Sequence, residues 1–520
     1  MLTYQLDPQS THGLYEQLYL AIRADIEEGH LRADSKLPSK RSLARHLGVS
    51  VVTVESAYRQ LAAEGYIEAQ ERRGYFVNEL PSLESQGSHS SASFSSKRTS
   101  PASEPTIQAT PLLADFSGSD RSGNLFPFHI WAKNVRRTLS EASKGSLLRT
   151  SYDNRGADEL RSAIARHLLA FRGLDVSPEQ IVIGAGAQDL YGILVQLLGR
   201  ERTFAIEDPG YPALRTHYEL SGAHVIGIPV DEKGIDVAAL RASGADIAHC
   251  TPAHQFPTGS VLGAVRRREL LEWAQQGAAS TRRYIIEDDY DSEFHLRGRP
   301  IPPLRSQDTH ESVIYLNTFT RSLGSVFRIA YLVLPPHLLL SFSARFATRS
   351  CMVGALEQLE LARFITSGDY ERHVNRQRTI YRRLQDTLVA QLSAGSARLL
   401  LSFKGVGAGL HFLMTVDSIA PSQTIESAAL ERGIRLVNIE NYRFERMSSS
   451  IQNSPIGTQY DQAHEQHPDQ ISAQDQKPKK PAGKIHTYVM NVSGLDGDRA
   501  DKIATALSDA ILTATEGLRH

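Results

Sequence analysis

Three stretches of this chain carry residue types that can do chemistry. Ile181–Ala187 (IVIGAGA) runs from a strand pattern into a helical one through two glycines. At such a joint the backbone N–H groups of Gly186, Ala187 and Gln188 can meet a phosphate, which is costly to desolvate unless several donors converge on it. The same glycines suit a joint that only packs. Glu287-Asp288-Asp289-Tyr290-Asp291 follows an apolar strand and reads either as a cation site or as a solvated strand end. His254 in TPAHQFPTG and His411 in GLHFL are isolated histidines, read as packing or hydrogen-bonding residues rather than acid–base catalysts.

These groups need a scaffold that alternates strands and helices. Ile181–Ile183, Phe204–Ile206, Val225–Pro229, Tyr284–Ile286 and Val313–Leu316 are short apolar runs, with helical stripes such as Tyr191, Leu194, Val195 and Leu198 between them. The alternation predicts an α/β unit with a mainly parallel sheet covered by helices. A 520-residue chain has room for two or three domains, and 41% hydrophobic with 22% charged residues is ordinary for a soluble globular protein. Cys250 and Cys351 cannot form a disulfide framework or a zinc site, and no apolar run suits a signal peptide or membrane span. A cytoplasmic protein with no membrane partner is expected.

Residues 81–111 hold ten serines and four prolines in 31 residues and read as a linker within 80–113. It divides a unit at 1–79 from one at 114–520. A second tract, about 446–484, is rich in Gln, Ser and Pro and reads as a disordered surface insertion.

In the small unit, Tyr15, Leu18, Ile22 and Ile26 form one helical stripe that Gly29 ends. Ser39 caps a second helix carrying Leu43, Ala44 and Leu47. Gly48 breaks it, Ser50 caps a third, and Val54, Ala57, Tyr58 and Leu61 line the inner face. This is a helix-turn-helix, followed by strand candidates at Tyr66–Ala69 and Tyr75–Val77 that make a wing. Between Arg32 and Arg73, eight Lys/Arg face five acids, a net +3 inside a chain of net charge −1. Positive charge is thus concentrated where DNA phosphates would lie, although a small packing module with a basic face has the same pattern.

The run LYEQLYLAIRADIEEGHLRADSKLPSKRSLARHLGVSVVTVESAYRQLAAEGYIEAQERRGYFV closely resembles the winged helix of the GntR family of bacterial regulators. The resemblance implies that Arg41 in LPSKR, Ser50 and Thr53 at the recognition-helix start, and Arg72 and Arg73 in the wing contact double-stranded operator DNA. One departure is Val51, where the family often has arginine after GVS; a base or phosphate contact is lost with it.

The larger unit resembles the aminotransferase-like domain, of pyridoxal phosphate (PLP) fold type I, found in MocR-type GntR regulators, with a smaller C-terminal α+β part. DFSGSDRSGNLFPFHIWAKNVRRTL (115–139), IVIGAGAQDLYGIL (181–194), FAIEDPGYPALR (204–215), TPAHQFPTGSVLGAVRRRELL (251–271), IIEDDYDSEF (285–294) and IYLNTFTRSLGSVFRIAYLVLP (314–335) carry the likeness in order. It implies that Gly186, Ala187 and Gln188 hold the phosphate, with Thr318, Thr320 and Arg328 completing the cup. Tyr211 would stack on the pyridine ring, Asp288 would pair with its nitrogen, and Tyr290 would approach its hydroxyl.

Two departures change the expected function. The family motif has a lysine that bonds covalently to pyridoxal phosphate where this chain reads NTFTRSL, with Arg321. A guanidinium does not lose its proton in a protein and cannot form that bond; it suits a carboxylate or phosphate instead, or a salt bridge with a residue such as Asp288. The closing strand IHTYVMNVSGL (485–495) lacks the arginine that clamps an amino-acid carboxylate in many members of the fold. The expectation is a homodimeric transcriptional regulator that senses a small anionic ligand, with pyridoxal phosphate bound non-covalently at best and no catalysis. The rival is a working aminotransferase with an accessory DNA-binding head; a third reading is a scaffold with an empty pocket.

Overall fold

Two serines fix where the second and third helices of the first unit begin. The computed structural model describes residues 2–4, 6–7, 13–70, 73–78, 112–118, 125–142, 154–277, 282–298, 300–444 and 484–516. The chain divides into two units, residues 1–105 and 106–520. In the first, α1 spans Leu14–Glu27, α2 Lys40–Leu47 and α3 Val51–Ala63. The Ser39 side chain accepts from the Ser42 amide at 3.2 Å and the Ser50 side chain from the Thr53 amide at 3.0 Å, satisfying N–H groups that a helix start leaves unpaired. Gly48 turns the chain between α2 and α3 at φ +69°, a conformation that favours glycine. Leu18, Ile22, Leu43, Val54, Ala57, Tyr58 and Leu61 are buried together. Tyr15, expected to open this stripe, is half exposed in the first turn, so the buried stripe starts at Leu18. The wing is an antiparallel hairpin of β1 (Ile67–Gln70) and β2 (Gly74–Val77).

The second unit is built on eight strands. They are β4 (Ile181–Gly184), β5 (Thr203–Asp208), β6 (His224–Asp231), β7 (Gly234–Ile235), β8 (Ile247–Cys250), β9 (Tyr284–Asp288), β10 (Val313–Thr318) and β11 (Ala330–Val333). Their spatial order is β4-β11-β10-β9-β8-β5-β6-β7. The run from β10 through β9, β8 and β5 to β6 is parallel, β11 lies antiparallel to both β10 and β4, and β7 is antiparallel to β6. β4, β8, β9 and β11 are buried at every residue, as expected of a sheet covered by helices on both faces. Every strand read from the sequence is present; β8 and β11 were not among the strands read.

The C-terminal part is α+β. A parallel pair joins β3 (Ala114–Asp115) to β14 (Ile434–Arg435). An antiparallel sheet has the order β12 (Leu401–Lys404), β13 (His411–Ser418), β15 (Lys484–Asn491), with β13 and β15 paired over eight residues. Phe412, Met414, Val416, Tyr488 and Met490 of this sheet share one core with Leu388 and Leu392 of the helix Asp369–Ala394 and Ile503, Leu507 and Ile511 of the helix Ala500–Glu516. Lys484, expected to end the polar tract, is the first residue of β15. The rest of that tract lies outside the described residues, as does all of the expected linker except its last two residues, where the Leu113 amide already donates to Gly433 O at 2.7 Å. At the other edge of the tract, the Phe444 amide donates to Asp208 Oδ1 at 3.0 Å and the Arg215 guanidinium lies 3.9 Å over its ring. Among the described residues no helix is long and apolar enough to cross a membrane.

Ser50→Ala removes the α3 cap and is expected to cost the first unit about 1 kcal/mol. Hydrogen exchange across residues 51–63 of the full chain checks this; unchanged protection would mean that the cap carries none of the helix's stability.

Candidate functional site

β4, β5, β8, β9 and β10 run in the same direction, so their C-terminal ends open on one edge of the sheet, where crevices of α/β folds take ligands. A cavity of about 270 Å³ opens there. Gly186, Ala187, Gln188, Tyr211, Asp288, Tyr290, Thr318, Thr320, Arg321 and Arg328 all line it. The structure thus gathers into one wall ten residues scattered over 143 positions of the chain.

Each arrives from a strand end. Gly186 joins β4 to the helix Ala187–Leu198 at φ +85°, and a Cβ there would meet Arg328 Nε at 3.3 Å. Arg328 Nη2 reaches Gln188 Oε1 at 3.4 Å. Thr318 ends β10, and its hydroxyl lies 2.9 Å from that of Thr320. A helix start, two hydroxyls and a guanidinium therefore stand together, a donor set that suits a phosphate.

Asp288 ends β9. Its Oδ2 accepts from Tyr191 Oη and faces His249 Nε2, both at 3.4 Å, and His249 Nδ1 is bonded to Tyr218 Oη at 2.7 Å. Its Oδ1 is buried and has no hydrogen-bond partner among the described residues. A buried carboxylate oxygen left unpaired is costly, and a ligand N–H would satisfy it; the residues present therefore fit a protonated pyridine that also carries a phosphate. Burial pushes the Glu207 carboxyl, behind the same wall, up to about 7, although Thr251 and Gln255 hydrogen-bond it.

Arg321 lies half-buried in the wall. It forms no hydrogen bond or ion pair with another described residue, and the salt bridge with Asp288 weighed from the sequence is not made. No lysine lines the cavity among the described residues.

The acidic run is neither a solvated strand end nor one cation site. Glu287 accepts from the Leu304 and Arg305 amides, Asp289 forms a buried 2.8 Å ion pair with Arg172, and Asp291 accepts from His254 Nδ1 at 2.8 Å. Each carboxylate has its own partner because β9 and the turn after it point successive side chains in different directions.

The family described as "Bacterial regulatory proteins, gntR family" matches residues 14–77, and "Aminotransferase class I and II" matches residues 120–418. The probable rhizopine catabolism regulatory protein MocR of Rhizobium meliloti is 32% identical over 74% of this chain and 78% of its own length. The HTH-type pyridoxine biosynthesis transcriptional regulator PdxR of Corynebacterium glutamicum is 30% identical over 85% and 91%. The chain belongs to the MocR-type GntR regulators. These are DNA-binding transcriptional regulators with an aminotransferase-like domain. In fold, this MocR-type domain is similar to the kynurenine aminotransferase of Pyrococcus horikoshii, solved with PMP, at TM-score 0.59 and 20% identity over 78% of this chain and 91% of that one. The α-aminoadipate aminotransferase LysN of Thermus thermophilus gives 0.60 at 19%, over 78% and 93%.

In this MocR-type regulator, sequence reasoning missed Gly118, Tyr191, Thr251 and Phe256 in the cavity wall. Tyr191 was legible only as part of a helix stripe, and Thr251 follows the unread β8. In the winged helix, Ser50 Oγ is 2.8 Å from Thr53 Oγ1, so both hydroxyls serve the α3 start; Arg41 is exposed, Arg73 lies 5.3 Å over the Phe76 ring, and Arg72 lies outside the described residues.

The two histidines are hydrogen-bonding residues of one buried group. The His254 and His411 rings lie 4.4 Å apart, and their ligating atoms come within 4.8 Å of Asp291. Burial alone would raise the Asp291 carboxyl, but the charge and hydrogen bond of His254, with His411 and Arg321, hold it below the ordinary carboxylate range. Burial, with the charges of His254 and Arg321, pushes the His411 imidazole down to about 3. The Arg321 charge that reaches both residues also disfavours a metal cation between them.

Because the folded value for His411 lies below its ordinary 6.5, the unfolded chain binds the extra proton between these two values. This group's contribution to stability is complete above pH 6.5 and is lost as pH falls toward 3. Carbon NMR of histidine-labelled protein, with the signal assigned by His411→Gln, is expected to show a neutral ring down to about pH 4; titration near 6.5 would show that the ring is solvated.

Proposed function

We propose that this regulator uses the aminotransferase crevice as a sensor: it holds a phosphorylated pyridine of the pyridoxal phosphate class without a covalent bond and does not transaminate. The observation that carries the reading is Arg321 on a cavity wall that contains no lysine among the described residues. Bound through a lysine, pyridoxal phosphate would supply an electron sink for amino-group transfer. A neutral amine is needed for that attachment, and a guanidinium cannot provide one.

The remaining wall supports retention of the ligand. Gly186, Ala187, Gln188, Thr318, Thr320 and Arg328 would hold the phosphate, Asp288 Oδ1 the ring nitrogen, Tyr211 the ring face, and Tyr290 the ring hydroxyl. Arg321 would take an anionic substituent. The absence of the carboxylate-clamping arginine from Ile485–Leu495 supports loss of amino-acid turnover, and the name of the relative PdxR, a pyridoxine biosynthesis regulator, supports a ligand of this class.

Two copies of the second unit would associate, so that paired winged helices read two half-sites. Arg41, Ser50, Thr53, Arg72 and Arg73 would supply DNA contacts. The ligand would act on transcription by binding one arrangement of the dimer more tightly than another, since only a difference in affinity shifts such an equilibrium.

Purified protein titrated with pyridoxal phosphate is expected to gain melting temperature without a bond to the chain that borohydride fixes. Arg321→Lys should acquire that bond at residue 321, located by peptide mass spectrometry. Arg321→Ala should weaken binding about tenfold, the loss of one charge-assisted contact. Native protein that carries the cofactor on a lysine and exchanges amino groups would overturn the reading.

A further inference from the structure

The start of α3 presents hydrocarbon to solvent. Val51 and Val52, its first two residues, are 43% and 69% exposed. β-Branched residues are poor helix formers, and neither side chain is among the buried residues of the unit's core, so local stability does not explain the pair. Val52, Ser56 and Arg59, spaced by four and then three residues, form a stripe on the face opposite the buried Val54, Ala57, Tyr58 and Leu61. In a helix-turn-helix, the N-terminal residues of the second helix approach the base edges of the major groove.

The Ser50 and Thr53 hydroxyls at this helix start are bonded to one another as well as free to face a ligand. Ser50 Oγ accepts from the Thr53 amide and is bonded to the Thr53 hydroxyl, while Lys40 and Glu55 form a 2.9 Å ion pair. Arg41 and Arg45 of α2 and Arg59 of α3 are exposed, form no ion pair with another described residue, and supply the charge complementarity that a phosphate backbone needs. Beside these hydroxyls, the first turn of α3 exposes two apolar side chains, Val51 and Val52. On the major-groove edge of a base pair the one apolar feature is the C5-methyl of thymine.

From this we infer that Val51 and Val52 read thymine methyl groups in the operator, so that its half-sites carry thymines where an arginine after GVS would have favoured guanine. Burying a methyl corresponds to about fourfold in affinity for each contact.

The test uses the full chain. Selection from a random-sequence DNA duplex library should enrich duplexes with thymines at fixed positions. Resynthesis of the enriched duplex with uracil at those positions, which removes only the methyl groups, should weaken binding about fourfold per contacted base. Val52→Ala should narrow the difference between thymine and uracil duplexes and leave the salt dependence of binding unchanged; Arg41→Ala should weaken both duplexes alike and lower the salt slope by about one. Equal affinity of wild-type protein for the two duplexes would overturn the inference, as would a Val52→Ala loss that is the same on both. Failure to enrich any sequence would overturn operator binding itself.

Discussion

A charge that burial cannot remove sets the terms for the cavity of this protein. Buried lysines and carboxyls can shed or take a proton when water is withdrawn; a guanidinium keeps its charge and must be met by an anion or left exposed to solvent. Two guanidiniums, Arg321 and Arg328, and one carboxylate, Asp288, are the charged groups of the wall among the described residues. Glu207 behind them, raised to about 7, is only partly ionised near neutrality. The wall therefore carries surplus positive charge together with one buried oxygen that lacks a donor. An anion bearing a ring N–H answers both.

The sheet makes this arrangement possible. Parallel strands bring residues distant in sequence to one edge, and the joints after them are short enough to fix side-chain direction. Asp288, Asp289 and Asp291 lie within four residues, yet one faces the cavity, one meets Arg172 and one meets His254. Two of the three are structural, and only the third is left with an open valence for a ligand.

Much of this was legible in the sequence, for identifiable reasons. Helix stripes and caps gave the winged helix because Ser39, Gly48 and Ser50 act through their immediate neighbours. The strand–helix joint at Gly186 was legible because a glycine requirement is local. What was not legible depends on contacts between distant segments: whether Glu287–Asp291 faces solvent, whether Arg321 pairs with Asp288, and that His249 and Tyr218 stand behind Asp288. Tyr191 shows the limit most clearly, since periodicity counts it among apolar helix residues while the fold turns its hydroxyl toward a carboxylate. β8 and β11 are short, fully buried runs, and without alternation such a run cannot be told from a buried helix segment by periodicity.

β13 and β15 hold each other along eight residues, although 445–483 separate β15 from the residues before it. Phe444 is held through Asp208 and Arg215, and Lys484 through the ladder to Ser418. Peptide continuity is therefore not what keeps the final strand and helix in place. The final strand and helix carry contacts of their own, an eight-residue ladder and the side chains Ile503, Leu507 and Ile511 in the common core, so the sheet itself sets their register.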